Sequence, residues 1–333
     1  LAACSGGKKH DASSAGTSSS SSAAPATTTT TAPSTLATLT GLAVSDPAVL
    51  RRPALVVKID GVAQARPQSG LDAADVVVEE KVEGGLVRFM AIFHSRDADP
   101  VGPVRSLRST DPPIVKPIGG LFAYSGGIKP FIDQLHQAGV VDVGADADAG
   151  AYYRRGGRAS PHNLYSSTKK LREATPAGAK PPPALFSYLA AGADFAPAGA
   201  QPATHLQATM GERASATWDW DGAAKVWRRG MDGSAHTVEG GAQLGFTNVI
   251  VQFVGYRNTG QFDVVREPVD EAVVVGAGDA LVLSGGKVVA AKWSKPSPDA
   301  VTAYTDSAGA PVKLPPGQTW VMLPPVGSPA PFR

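Results

Sequence analysis

The run Ala74-Asp75-Val76-Val77-Val78-Glu79-Glu80-Lys81-Val82-Glu83-Gly84-Gly85-Leu86-Val87-Arg88-Phe89-Met90-Ala91-Ile92-Phe93-His94 decides the fold class of this chain. Two β-branched, apolar stretches flank a Gly-Gly pair. That is the pattern of a β-hairpin, because glycine accepts the positive φ that a tight turn demands. A two-residue turn at Gly84-Gly85 would pair Val82 with Val87, Glu80 with Phe89, Val78 with Ala91 and Val76 with Phe93. On that register one face is apolar except for Glu80, and the other, with Asp75, Glu79, Lys81 and Glu83, is a mixed polar surface. A core-facing carboxylate is costly unless it is paired or protonated. Glu80 is therefore expected to point inward and meet Arg105 or Arg108, either as a structural ion pair or as part of a ligand or acid-base site. Glu79 is expected to face solvent.

Outward from the hairpin, Leu55 to Asp60 reads as a short buried strand, Phe131 to Ala138 as a helix stopped at Gly139, and Thr168 to Ala174 as a helix capped by Ser166 or Ser167. A stretch rich in Ala, Pro and Gly runs from Pro176 to Pro202, with a helix expected at Ala184 to Ala190. Beyond it come short strands separated by turns such as Asp221-Gly222 and Ser284-Gly285-Gly286. The expected class is α+β. Residues 41–187 form an N-terminal α+β domain around the hairpin-containing sheet, 188–204 a linker, and 205–333 a smaller, mostly antiparallel β domain.

The first 40 residues read differently. Leu1-Ala2-Ala3-Cys4 matches a lipobox, with small residues before a thiol that can carry a diacylglyceryl group, although the preceding part of a signal peptide is not in this sequence. The following Ser, Thr, Ala and Pro tract cannot bury enough apolar surface to offset chain entropy, so residues 1–40 are expected to be a disordered tether spanning on the order of 35 Å. Acylation at Cys4, including palmitate-type chains, would hold the chain on a membrane. Cys4 is the only cysteine, which leaves none for catalysis or disulfides in the body. No apolar run is long enough for a membrane-spanning helix. With a net charge of +2 and scattered basic residues, nothing forms the stripe that nucleic acid requires.

Val101-Gly102-Pro103-Val104-Arg105-Ser106-Leu107-Arg108-Ser109 presents two guanidiniums in a tight loop, a residue type suited to bidentate contact with carboxylate or phosphate. Arg66, Arg88, His162 and Asn163 join Glu80, Arg105 and Arg108 as candidate ligand-binding residues, with Arg154 and Arg155 as further cations. Ser166 and Lys169 have a Ser-x-x-Lys spacing, but its companion motifs are missing and a helix cap explains the serine. Asp142, Asp146 and Asp148 fall short of a calcium loop, so no metal or cofactor is expected. Trp218, Trp220, Trp227, Trp293 and Trp320 fit core packing better than sugar stacking.

The sequence resembles the YerB-like lipoproteins, a paired N-terminal and C-terminal domain family of unknown function. The resemblance rests on Ala65 to Leu71, Ala74-Asp75 through Glu83-Gly84-Gly85 to Arg88-Phe89, Gly102 to Arg108, and Pro161-His162-Asn163-Leu164-Tyr165. In the second half it rests on Asn248 to Gln252, Trp293-Ser294-Lys295 and Pro316 to Trp320, while Leu107 stands where the family often has alanine. It implies a two-domain, lipid-anchored protein of the bacterial cell envelope, outside the cytoplasm, and carries over no catalytic residue. Two readings follow. One is a non-catalytic binding or scaffold module for an envelope protein or an anionic cell-wall ligand at the arginine loop. The other is an enzyme acting on phosphate-bearing or glycan envelope polymers.

Overall fold

In the computed structural model, residues 35–333 are described; Cys4 and most of the expected tether lie outside them. The tether was expected to reach Thr40. Instead, Ala37, Leu39 and Thr40 are buried, and the Thr40 carbonyl accepts from Gly317 N at 2.7 Å, so the folded body already includes them.

Thr35–Arg333 forms one compact unit, and the expected boundary at 188–204 falls within it. An 11-stranded sheet takes strands from both sides of that boundary. From one edge its order is Ala303–Thr305, Lys287–Lys295, Gly276–Ser284, Asn248–Gln252 and Thr319–Leu323. It continues through Val76–Lys81, Val87–Phe93, Leu55–Asp60, Leu121–Ala123 and Val141–Asp142, with Gln201–Pro202 pairing beside Lys287–Lys295. The two halves are joined at Thr319–Leu323, which runs parallel to both Asn248–Gln252 and Val76–Lys81. A five-stranded sheet built on His205–Gly211, Ala214–Asp221 and Val226–Met231 packs on one face through Trp218, Trp227, Met231 and Phe246. The opposite face is covered by Leu107, Val115, Phe131 and Leu135, from the loop and helices Asp111–Val115 and Lys129–Gln137, together with Val269 and Ala272. The molecule is therefore sheet-rich with few helices.

Both faces of the central hairpin are thus buried, and this changes two expectations. The register is one residue away from that of a two-residue turn: Glu80 lies opposite Arg88 and Glu79 opposite Phe89. Val82 N donates to the Leu86 carbonyl at 2.8 Å, which leaves Glu83, Gly84 and Gly85 as a three-residue loop with φ of 64° and 67° at the two glycines. A side chain at Gly85 would also meet the backbone N of Glu212 at 3.0 Å, so the loop is shaped by its close approach to the small sheet. Secondly, Glu79 is buried at 1% exposure, because the face expected to be wet is covered by that sheet.

The expected helix at Ala184 to Ala190 is not formed. Ser187–Tyr188 instead pairs in parallel with Lys313–Leu314, an extended path that follows naturally from three consecutive prolines at Pro181 to Pro183. Thr168–Leu171 is helical as expected, with the Ser167 hydroxyl accepting from Lys170 N at 3.2 Å.

Candidate functional site

Burying strands that carry charge requires each charge to find a partner, and the structure answers this in three places. Between the sheets, Arg229 Nη2 donates to both Glu79 carboxylate oxygens at 2.7 and 2.9 Å, and Trp320 Nε1 donates to Glu79 Oε2 at 2.8 Å. The guanidinium lies 4.5 Å from the Trp320 ring centre and 5.6 Å from those of Trp218 and Phe89. On its other side Arg229 Nη1 meets His236 Nδ1, and His236 Nε2 meets Gln68 Oε1 at 2.9 Å. Burial, with the Arg229 charge beside it, holds His236 well below the ordinary histidine range, so this ring is neutral and can accept from the guanidinium. Sequence reasoning missed this network because Glu79 and Arg229 are 150 residues apart.

On the helix-covered face, Glu80 does point inward, at 0% exposure, but its partner is neither Arg105 nor Arg108. Lys58 Nζ lies between Glu80 Oε1 and Asp111 Oδ1, 2.6 Å from the latter. Lys58 stands on Leu55–Asp60, one strand beyond Val87–Phe93, and reaches Glu80 across that strand. Burial pushes the Glu80 carboxyl up to about 7, with Lys58 opposing and Asp111 adding to the rise. Arg108 binds Glu83 through Nε at 2.6 Å and Nη2 at 2.7 Å. Burial alone would raise Glu83, but this fork outweighs it and holds the carboxyl below its ordinary value.

The third place is open. Ile59 bridges Val104, Arg105 N donates to the Lys58 carbonyl at 2.9 Å, and Val104 N donates to the Leu164 carbonyl at 2.7 Å. The Gly102 to Arg105 loop and the His162 loop are thereby fixed beside the end of the Leu55–Asp60 strand. Asp60, at 1% exposure, takes His162 Nδ1 at 2.7 Å and pairs with Arg105 Nε at 3.0 Å through the same oxygen. Arg105 and His162 line a pocket together with Gly61, Arg66, Arg213 and Asp232. Arg66 pairs with Asp232 at 2.5 Å, whereas the exposed Arg213 guanidinium has no partner among the described residues. Arg213 is held at the rim by its own N–H, which donates to the Gly85 carbonyl at 3.2 Å.

Of the sequence candidates, Arg66, Arg105 and His162 therefore meet in one pocket, and Arg213 is an addition that sequence reasoning missed. Arg88 lies behind it, 7% exposed, with Nη1 donating to the Ser106 carbonyl at 3.2 Å and no carboxylate in an ion pair with it among the described residues. Burial and the charges of Arg108 and Arg105 bring its guanidinium down to about 10. Asn163 supports the wall: its side chain accepts from Arg154 Nη1 at 2.7 Å and donates to the Arg158 carbonyl at 3.0 Å. Arg155 is spent on Glu239, at 2.6 and 2.7 Å. Ser166 donates to the Ala151 carbonyl at 2.7 Å, so it makes no pair with Lys169. Asp142 is taken by Tyr124 and His136, each at 2.8 Å, and Trp218, Trp227 and Trp320 are enclosed in the core.

Fold and site together define a sheet-rich protein whose two halves share one sheet and one cation-lined pocket. The chain belongs to the YerB-like family: models described as "Protein of unknown function (DUF3048) N-terminal domain" and "Protein of unknown function (DUF3048) C-terminal domain" match residues 39–180 and 206–321. It is 28% identical over 294 residues to "Putative lipoprotein YerB" of Bacillus subtilis (strain 168), covering 87% of this chain and 86% of that protein. The crystal structure of YerB protein from Bacillus subtilis superposes with a TM-score of 0.75 at 23% identity, covering 89% of this chain and 99% of that one, and so shares the fold.

Proposed function

We propose that this protein is a lipid-anchored, extracytoplasmic binding module of the bacterial cell envelope that holds an anionic, phosphate-bearing ligand in the pocket of Arg66, Arg105 and Arg213. Anchoring through an acylated Cys4 is supported by the Leu1-Ala2-Ala3-Cys4 motif and by the printed name of the Bacillus subtilis relative. No described helix is long and apolar enough to cross a membrane. The observation that carries the ligand reading is the pocket itself: the three arginines Arg66, Arg105 and Arg213 line it, with Asp60 and Asp232 as the acidic partners of the first two. A guanidinium fork matches phosphate bidentately, and the unpaired Arg213 is free to provide one. Short glycerol phosphate oligomers titrated into the protein should bind with an affinity that falls as salt rises and drops on Arg213→Ala. Binding that is absent, or indifferent to both, would refute the reading.

One observation favours a second reading as an enzyme on such polymers. Asp60 orients the His162 ring through Nδ1, which leaves Nε2 of this pocket-lining residue without a hydrogen-bond partner among the described residues and available as a general base. Turnover of a phosphodiester polymer abolished by His162→Gln, with ligand binding retained, would establish it; binding without turnover in the parent chain would leave the non-catalytic module.

A further inference from the structure

On the opposite side of the large sheet from the Trp cluster lies an apolar cavity of about 560 Å³, counting the solvent at its mouth. We propose that this cavity binds a slim amphiphile with an aliphatic tail and a carboxylate head, the head held by Lys295. It shares no lining residue with the arginine pocket, so it stands or falls independently of that site.

The floor is the sheet, through Val76, Val78 and Val321, and the roof includes Ile118 and Phe186. Apolar walls with a few placed polar groups are what small-molecule sites look like. Among the described residues, Lys295 is the only charged one in the lining. It is 2% exposed and has no carboxylate partner in an ion pair among the described residues. Its ammonium donates to the carbonyls of Pro298, at 3.3 Å, and Ala300, which leaves one of its three N–H groups uncommitted. The nearby acid, Asp299, is engaged by Lys116 at 3.0 Å. Burial brings the ammonium down to about 8, with the Asp299 charge only partly opposing it. A carboxylate at the cavity rim would supply a counter-charge while its tail filled the apolar space. The other polar side chains are less suited to a head group, since Tyr304 Oη already donates to Gln252 Oε1 at 2.7 Å.

The test is a paired titration of octanoate and 1-octanol into the full chain, followed by calorimetry and amide chemical shifts. Octanoate should bind saturably and about tenfold or more tighter than octanol, the margin of a charge-assisted hydrogen bond. Lys295→Met should reduce octanoate to the level of octanol, and Ile114→Trp, which fills a partly exposed wall, should weaken both. Should Lys295→Met perturb the 298–300 loop, the comparison of the two ligands on the parent protein still decides. The proposal is overturned if neither ligand binds, if both bind the parent protein equally, or if the preference survives Lys295→Met but is lost in Arg105→Ala.

Discussion

Replacing Glu79 by alanine should cost this protein about 4 kcal/mol, within the range of roughly 3 to 5 for breaking a buried ion pair by removing one partner. The structure says why the loss should be so large. Glu79 accepts three hydrogen bonds, two from Arg229 and one from Trp320, and without it the Arg229 charge remains at 0% exposure between aromatic rings, with His236 as its remaining acceptor. Burial already lowers the Arg229 guanidinium, so the site gives a lone cation little relief. Against a total stability of about 5 to 15 kcal/mol, that loss is a large share. Urea unfolding followed by tryptophan fluorescence reads it directly, because Trp218, Trp227 and Trp320 line the same interface. Arg229→Met should be comparably harmful alone, and the double variant should recover most of the loss, since it leaves neither charge stranded. A cost below about 1 kcal/mol for Glu79→Ala, or simple additivity of the two variants, would refute the assignment of this pair as the tie between the sheets.

Two further outcomes follow from the buried charges and one glycine. Glu80 is raised from 4.5 to about 7, so the folded state keeps a proton that the unfolded chain gives up; the stability this contributes is fully present below pH 4.5 and is lost as pH rises through about 7. The stability of the parent chain relative to Glu80→Gln should therefore fall by about 3 kcal/mol from pH 4 to pH 8 in unfolding titrations, and a flat difference would contradict the raised carboxyl. Gly120→Ala should destabilise by about 2 kcal/mol or more, because Gly120 has φ of 83° and a Cβ there would lie 2.1 Å from the Ala54 carbonyl oxygen; thermal unfolding unchanged by it would show that this approach can relax.

The strands were legible where apolar alternation and turn residues coincide, as in Leu55–Asp60, Asn248–Gln252 and Thr319–Leu323. The sharing of one sheet by both halves was not legible, because it depends on parallel pairings between Thr319–Leu323 and strands about 70 and 240 residues away. The inward direction of Glu80 followed from strand period, but its partner did not: Lys58 is reached across Val87–Phe93, and nothing local singles it out from an exposed lysine. Glu79 was misplaced because period assigns a face but does not say whether that face is covered. Arg66, Arg105 and His162 were named from residue type, yet their meeting depends on Asp60, which read as an ordinary end of a strand. Gly-Gly read as a two-residue turn failed because the loop also has to fit against Glu212 and Arg213.

An anion site at the arginine pocket can be read residue by residue by mapping amide chemical shifts while inorganic pyrophosphate is titrated into the protein. Saturable shifts should concentrate at Gly61, Val62, Arg66, Arg105, His162 and Arg213, which line the pocket, and should be lost in Arg105→Ala combined with Arg213→Ala. Shifts that never saturate, that gather elsewhere on the surface, or that persist unchanged in the double variant would contradict it.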